Sequence, residues 1–177
     1  MKKSFLAGLL IGLGVIINLQ TEYKELGALL FSFGLLTIIN MQLLLYTGKV
    51  GYLVKGLPTI LIGNLIGIAV TIGLYTLGNL NFKSIISTAA ATKFSKTTLT
   101  LFINSCFCGM LIHFAVKNKQ TIITIFAIMI FILIGAEHCI ADFPYLLFNF
   151  SLINLFKFIS IIIGNSLGAI LIERLSK

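Results

Sequence analysis

Glu137 and His138 are adjacent ionisable residues inside an apolar stretch that runs from Ile122 to Phe150. Ionisable side chains are costly at membrane depth and are tolerated there mainly when they face a protein interior or a wet path. An imidazole can change its charge near neutral pH, and it can donate a hydrogen bond or a proton to a passing anion. The pair therefore predicts a membrane protein in which something polar moves or binds.

The two side chains are not expected to do the same work. Neighbouring residues on a helix point about 100° apart, so we assign His138 to the lumen and Glu137 to the protein interior. A buried carboxylate needs a cationic partner, and Lys93, in a polar stretch upstream, is the candidate. Thr47, in a turn-rich segment, has a hydroxyl that can bond His138 or a solute.

The composition excludes most other classes of protein. Hydrophobic residues make up 58% of the 177-residue chain and charged residues 10%, and the mean hydropathy is +1.09. A soluble domain carries about 25% charged residues, so a polytopic membrane protein is predicted. The net charge of +8 comes from lysines scattered at segment ends, which is typical of topology determinants and not of a nucleic-acid site.

No catalytic or metal centre is predicted. The sequence has no paired carboxylates, Ser/His/Asp spacing, phosphate-cradling glycine loop or Walker lysine, so we expect neither an enzyme nor a cofactor. The three cysteines are an odd number in apolar segments and are interpreted as small hydrophobic residues. Cys108 with His113, or Cys139 with His138, would lack two further metal ligands.

Six apolar segments approach the roughly 20 residues that span a bilayer, although the first is short. They are Phe5–Leu19, Leu26–Tyr46, Pro58–Leu77, Thr98–Val116, Ile122–Ile140 and Leu152–Ile172. The first resembles a signal peptide but has no small-x-small cleavage site, so a retained helix is expected. We predict one transmembrane channel domain, 1–177, with a first repeat at 4–78, a polar connector at 79–96 and a second repeat at 97–177.

The two repeats share a Gly-Asn-x-x-Gly motif. Leu61-Ile-Gly-Asn-Leu-Ile-Gly67 matches Ile162-Ile-Gly-Asn-Ser-Leu-Gly168 at an offset of 101 residues. Small residues at this spacing let helices approach closely, and the shared residues are therefore predicted to be helix contacts: Gly63, Asn64, Gly67, Gly164, Asn165 and Gly168. Three spans per repeat would insert the second copy upside down, an arrangement typical of transporters and channels.

The middle segment of each half is predicted to be broken. Segment two ends in the turn-rich Leu45–Gly51, and segment five is interrupted at Gly135 and again at Asp142-Phe-Pro144. Non-helical backbone at membrane depth is tolerated where protein or a cavity lines it, which indicates a pore. Eight of the 13 Lys and Arg residues fall on one side of this topology, so both termini are expected to be cytoplasmic.

These residues together resemble the formate/nitrite transporter family, whose fold is aquaporin-like. The motifs that carry the resemblance are Phe31-Ser-Phe-Gly-Leu-Leu, Leu45-Tyr-Thr-Gly48, Ala91-Thr-Lys93, His113-Phe-Ala-Val116 and Gly135-Ala-Glu-His-Cys-Ile-Ala-Asp142. The last of these is similar to the specific Gly-x-Glu-His-Ser-x-Ala-Asn motif of the family. The resemblance covers essentially the whole chain.

The resemblance implies a role for each of these residues. His138 would be the central pore histidine, Thr47 its partner, and Lys93 with Glu137 the buried charge pair. Phe31, Tyr46 and Phe131, otherwise interpreted as core aromatics, would line apolar constrictions. The family forms pentamers in the cell membrane and passes small weak-acid anions such as formate, nitrite or hydrosulfide.

The chain departs from the family at Tyr46, Asp142 and Gly109, where Phe, Asn and Asn are usual. Two alternatives to an anion channel therefore stay open. One is a channel for a neutral solute such as urea, ammonia or water, which would not need Lys93 or Glu137. The other is a non-conducting membrane relative in which the Glu-His pair only fixes helix packing.

Overall fold

The computed structural model describes residues 1–177 and is built of helices without strands. Four of these helices are long and apolar enough to cross a membrane. They are α1 (Lys2–Gln20), α4 (Leu57–Gly78), α6 (Thr98–Asn118) and α9 (Leu152–Leu175). Shorter helices complete the chain: α2 (Lys24–Asn40), α3 (Tyr46–Lys49), α5 (Leu80–Ser95), α7 (Thr121–Leu133) and α8 (Cys139–Phe148). The all-helical class predicted from the sequence is confirmed.

Two of the long helices begin at a capping side chain, and a third has a proline in its first turn. The Thr97 hydroxyl accepts a hydrogen bond from the Thr100 amide at the start of α6, and Ser151 does the same for Asn154 at the start of α9. The first turn of α4 contains a proline, which has no amide to leave unpaired there. The sequence therefore specifies the ends of these helices locally.

The long helices pack in two pairs, α1 with α4 and α6 with α9. The shared motif lies at both contacts. A methyl group added at Gly67 would overlap the Phe5 carbonyl on α1, and one at Gly168 would overlap the Cys106 carbonyl on α6. Gly63 and Gly164 lie in the same way against Ser4 and Ser105. Glycine at these positions lets the two backbones of each pair approach to contact.

Two segments of irregular backbone interrupt the shorter helices. Residues 41–45 separate α2 from α3, and residues 134–138 separate α7 from α8. Gln42 and Gly135 adopt left-handed backbone angles, with φ of 51° and 69°. Both helices stop earlier than predicted, at Asn40 and Leu133. The second interruption expected at Asp142-Phe-Pro144 is not observed, because those residues lie within α8.

The segment predicted as a polar connector, 79–96, contains the 16-residue helix α5. Its buried residues are Phe82, Ile86, Ala90 and Phe94, which recur every four positions. That spacing places them on one face of the helix, against the rest of the protein. The polar residues between them cover the other face. The segment is therefore an amphipathic helix, although its average composition is polar.

Candidate functional site

His138 occupies the first turn of α8 as its N-cap residue. Its Nδ1 accepts a hydrogen bond from the Ala141 amide at 3.1 Å, so the ring proton lies on Nε2. Nε2 is 3.0 Å from the Thr47 hydroxyl oxygen at the start of α3. The His138 side chain is 2% exposed and that of Thr47 is 0% exposed. The structure therefore brings together the two residues assigned to the pore.

Asn165 of α9 holds the loop that carries His138. Its side-chain oxygen accepts from the Cys139 amide at 2.8 Å, and its side-chain nitrogen donates to the Glu137 carbonyl at 2.8 Å. The same nitrogen donates to the Ser105 carbonyl of α6 at 2.8 Å. One buried amide thus satisfies backbone groups on both sides of His138 and fixes its position relative to the α6–α9 pair.

Asn64 of α4 makes matching contacts in the first half of the chain. Its oxygen accepts from the Tyr46 amide at 2.8 Å. Its nitrogen donates to the carbonyls of Leu44 at 2.8 Å and Ser4 at 2.7 Å. Thr47 is therefore held against the α1–α4 pair by the same chemistry that holds His138 against α6–α9.

Glu137 and His138 do point in different directions, although the helical geometry assumed from the sequence was wrong. Both lie in non-helical backbone, and His138 has an extended conformation with φ −113° and ψ 110°. Successive side chains alternate in extended backbone. His138 consequently faces Thr47, whereas Glu137 faces the lysines at the end of α5.

Glu137 belongs to a network of four charged residues. The ammonium of Lys93 contacts both Glu137 Oε2 and Asp142 Oδ1, the latter at 2.8 Å. Lys96 contacts Glu137 Oε1 at 2.7 Å. Glu137 is 0% exposed, whereas the side chains of Lys93 and Lys96 are 17% and 34% exposed. The predicted partners Lys93 and Glu137 thus meet, and two unpredicted residues join them.

The sequence did contain signals for the two additional residues. Lys96 follows Lys93 by three positions, and residues three apart lie on the same face of a helix. Asp142 follows His138 by four positions and lies in the first turn of α8. Lys93 also lies 5.0 Å from the ring centroid of Tyr145, one turn further along α8.

Two of the three predicted constriction aromatics lie beside His138. The rings of Phe31 and Phe131 meet edge to face at 5.7 Å, and Phe131 is 6.1 Å from the imidazole. Tyr46 is placed differently: its hydroxyl is hydrogen-bonded to Ser166 of α9 at 2.9 Å. The Phe-to-Tyr departure at this position therefore adds a tether between α3 and α9.

One cavity borders His138, and a second borders Gly48, the residue after Thr47. The first, of about 130 Å³, is lined by residues that include Phe31, Lys93, Lys96, Phe131, His138 and Asp142. The second, of about 270 Å³, is lined by residues that include Ile38, Leu45, Gly48, Lys49 and Lys119. Phe31 lines the first cavity and Ile38 lines the second. They share a face of α2 and are seven residues apart, so these two lining residues lie roughly 10 Å apart along the helix axis. Each cavity presents two lysines.

A second polar cluster, which the sequence did not predict, lies between α6 and α9. His113 Nε2 is 3.0 Å from Glu173 Oε2, and Lys117 Nζ is 2.9 Å from the same oxygen. The ring of Tyr52 packs on the imidazole at 4.8 Å. His113 is fully buried. This cluster holds the 3₁₀ turn Val50–Tyr52, which follows α3, against the α6–α9 pair.

Comparisons with known proteins identify the fold. No family model matches the sequence, and no curated protein matches it. Among solved structures, an "FNT family ion channel" is similar with a TM-score of 0.84 and 21% identity, over 99% of this chain and 87% of the other. A "Pentameric formate channel with formate bound" is similar with a TM-score of 0.74 and 20% identity, over 99% and 93%. The resemblance found in the motifs is thus confirmed at the level of the fold.

Proposed function

We propose that this chain, which has the fold of the FNT family ion channel, is a transmembrane channel for small monovalent anions of weak acids. Formate, nitrite and hydrosulfide are the substrates that we infer. The observation that carries the proposal is the buried His138–Thr47 contact, with one lysine-lined cavity bordering His138 and another bordering Gly48. A solved structure of the same fold, the pentameric formate channel with formate bound, supports the choice of substrate class.

The chemistry of the site suits a small anion. A bare charge is strongly penalised beside apolar rings such as those of Phe31 and Phe131. His138 Nε2–H and the Thr47 hydroxyl are polar groups in these apolar surroundings, and they can replace part of the anion's hydration. Because Nδ1 is already an acceptor for the Ala141 amide, we infer that His138 offers a hydrogen bond and not a proton.

The lysines of the two cavities would attract anions from either side of the membrane. Lys93 and Lys96 line the cavity beside His138, and Lys49 and Lys119 line the one that borders Gly48. Positive side chains at the mouths of a low-dielectric path raise the local anion concentration and the rate of encounter. Two lysine-bearing cavities in series with one buried polar pair are the arrangement that a selective anion path requires.

We further infer that the chain forms two inverted three-helix repeats, 4–78 and 97–177, within one domain of six spans. In this arrangement α2 with α3, and α7 with α8, are the broken second and fifth spans. The support comes from matching contacts: Asn64 bonds Ser4 in one half, and Asn165 bonds Ser105 in the other, both displaced by 101 residues. Inverted repeats of this kind place the permeation site near the bilayer midplane.

The assembly that we infer is a homopentamer in the cell membrane, with one pore per protomer and both termini cytoplasmic. The structurally similar formate channel is pentameric, which supports the oligomeric state. The excess of lysine and arginine on one side of the proposed topology supports the orientation. Cross-linking of the purified protein would show a ladder that ends at five subunits if this inference is correct.

One observation favours a second candidate, a channel for neutral solutes. The charges beside His138 sum to zero when all are ionised, because Lys93 and Lys96 balance Glu137 and Asp142. A balanced vestibule has less attraction for anions than one with an unpaired lysine. Comparing uptake of formate, nitrite, hydrosulfide and urea by the same vesicles separates the two candidates.

The test is uptake by reconstituted liposomes, with empty liposomes as the baseline. We expect rapid uptake of at least one of the three anions and its loss in His138→Phe, because phenylalanine fills similar space without a donor. His113→Asn is the matched control, since it changes the other buried histidine, and it should retain uptake. Equal uptake by wild type and His138→Phe, with both eluting as the same oligomer, would contradict the proposal.

A further inference from the structure

We infer that Asp142 is the proton-binding group of the pore and supplies the proton that travels with the anion. The inference rests on the proposed function, which it extends by assigning the proton to a residue other than His138. It is specific to this chain, because the motif that Asp142 ends resembles one in which asparagine is usual. Three observations carry it: the buried, unpaired oxygen of the carboxyl group, the crowding of two carboxylates, and the place of Asp142 in the cavity wall.

The first observation is an unpaired oxygen. Asp142 is 3% exposed, and its Oδ2 is buried without any hydrogen-bond partner. A buried carboxylate oxygen without a donor is costly, because it has lost its hydration and gained nothing in return. A proton bound at Oδ2 makes the carboxyl group neutral and so lowers that cost. Both oxygens of Glu137 already have lysine partners, so the proton belongs on Asp142.

The second observation is the crowding of two carboxylates. Lys93 contacts Glu137 and Asp142 with the same nitrogen, which brings the two carboxyl groups close together. Two carboxylates that share a site repel one another, and binding of a proton to one of them relieves the repulsion. Lys93 remains paired with Glu137 while Asp142 is neutral. It compensates Asp142 when the proton leaves.

The third observation is that both the solute and protons from solvent can reach Asp142. Asp142 lines the same cavity as His138 and Lys93. Lys96, which is 34% exposed, marks the side on which this cavity reaches solvent. An anion in the cavity therefore shares one space with Asp142, and a hydronium ion that enters past Lys96 can reach Asp142 in the same space.

Other titratable groups near Asp142 do not offer an equivalent site. Those that face it or its partners are Lys93 and Lys96 at the end of α5, Glu137 and His138 in the loop, Cys139 and Tyr145 on α8, and Cys108 on α6. From α9, Lys157 donates to the Phe94 carbonyl at 2.7 Å. α4 contributes no acidic or basic side chain, and the lysines of α1 lie at its exposed end. Asp142 is the carboxyl group in this set that has an oxygen left free.

The step is a single proton transfer that conserves charge. The O–H bond of neutral Asp142 breaks, and its proton binds an oxygen of formate to give formic acid. The bonding electron pair stays on Asp142, where Lys93 compensates the new charge. The neutral acid then passes His138 by hydrogen bonding, and a hydronium ion from the cavity reprotonates Asp142. One anion and one proton cross together, without net movement of charge.

The test measures charge movement during formate uptake by liposomes that hold a pH-sensitive dye. Formate uptake by wild type should acidify the liposome lumen, and its extent should not depend on an imposed membrane potential. Asp142→Asn keeps the size of the side chain and removes the proton, so its formate flux should carry charge. A potential of about 60 mV would then change the distribution of formate about tenfold. Asp142→Ser is a second variant with the same expectation.

His138→Asn should keep electroneutral uptake, although at a reduced rate, because it retains a hydrogen-bond donor. Electroneutral formate uptake by Asp142→Asn would overturn the inference while leaving the proposed channel intact. Infrared difference spectra between neutral and alkaline buffer test the inference without any flux. A carboxyl band that is lost in alkaline buffer should be present in wild type and absent from Asp142→Asn. A band that persists in that variant would equally overturn the inference, even if wild type conducts nothing.

Discussion

Replacement of Lys93 by methionine is the most direct test of the charge network. Methionine keeps the unbranched stem and removes the ammonium that contacts Glu137 and Asp142. Glu137→Gln removes the opposite charge of the pair with little change of shape. The double variant removes both, so the wild type and the three variants form a thermodynamic cycle that isolates the interaction between Lys93 and Glu137.

The contacts that survive each change set the expected magnitude. Removing one member of a buried ion pair costs about 3–5 kcal/mol, because the remaining charge is left uncompensated. In Lys93→Met, Glu137 keeps Lys96 at 2.7 Å, a contact worth roughly 6 kcal/mol before desolvation at an effective dielectric constant of about 20. In Glu137→Gln, Lys93 keeps Asp142 at 2.8 Å. Both losses should therefore lie at the lower end of the range, near 3 kcal/mol.

The double variant should lose about 3 kcal/mol as well, since neither member of the pair is left uncompensated, Asp142 is neutral as inferred above, and Lys96 can reach solvent. The coupling energy would then be about 3 kcal/mol. Unfolding by sodium dodecyl sulfate in mixed micelles, followed by circular dichroism, measures the three free energies. Losses that add within about 0.5 kcal/mol would show that the pair is not coupled and would refute this reasoning.

Two further predictions concern the frame around the site. Asn165→Leu leaves two carbonyls and one amide without their partner, so the free energy of unfolding should fall by at least about 3 kcal/mol. The control Asn118→Leu changes an exposed side chain and should cost less than about 0.5 kcal/mol. Equal losses in the same detergent titration would contradict this prediction. Gly51→Ala places a methyl group 2.5 Å from the ring of His113 and should cost about 1–3 kcal/mol. In the control Gly73→Ala, the added methyl group meets nothing within 4 Å and should stabilise the helix by up to about 1 kcal/mol. A Gly51→Ala protein as stable as this control would show that the Val50–Tyr52 turn does not pack tightly against His113.

The sequence predicted the parts of the site that depend on charge and motif. A buried carboxylate demands a cation, and Lys93 was the candidate in the polar stretch beside it. Thr47 was a candidate partner of His138 because its hydroxyl lies in the turn-rich segment, and the resemblance to the family implied the same pairing. Apart from that resemblance, these inferences needed only the cost of burial and the positions of the residues along the chain, and the structure places each pair in contact.

The remaining features depend on packing that no local pattern encodes. α5 was missed because its apolar residues recur every fourth position in a segment of polar average composition. Glu173 and His113 are 60 residues apart and meet because α6 and α9 pack along their length. Asp142 looked like part of an interruption next to Pro144, but the helix continues through both. Tertiary contacts decided each of these cases.

The position of the lysines along the chain has a consequence for how the protein enters the membrane. Lys93 and Lys96 are synthesised before Glu137 and Asp142, and chains emerge from the ribosome with the N-terminal part first. α7 has 13 residues and α8 has 10, so neither alone reaches the roughly 20 that span a bilayer. The segment that joins them carries the carboxyl group of Glu137, and that of Asp142 follows in the first turn of α8. Because their cations are already in place, this segment can dock against protein as it inserts and need not cross bare lipid.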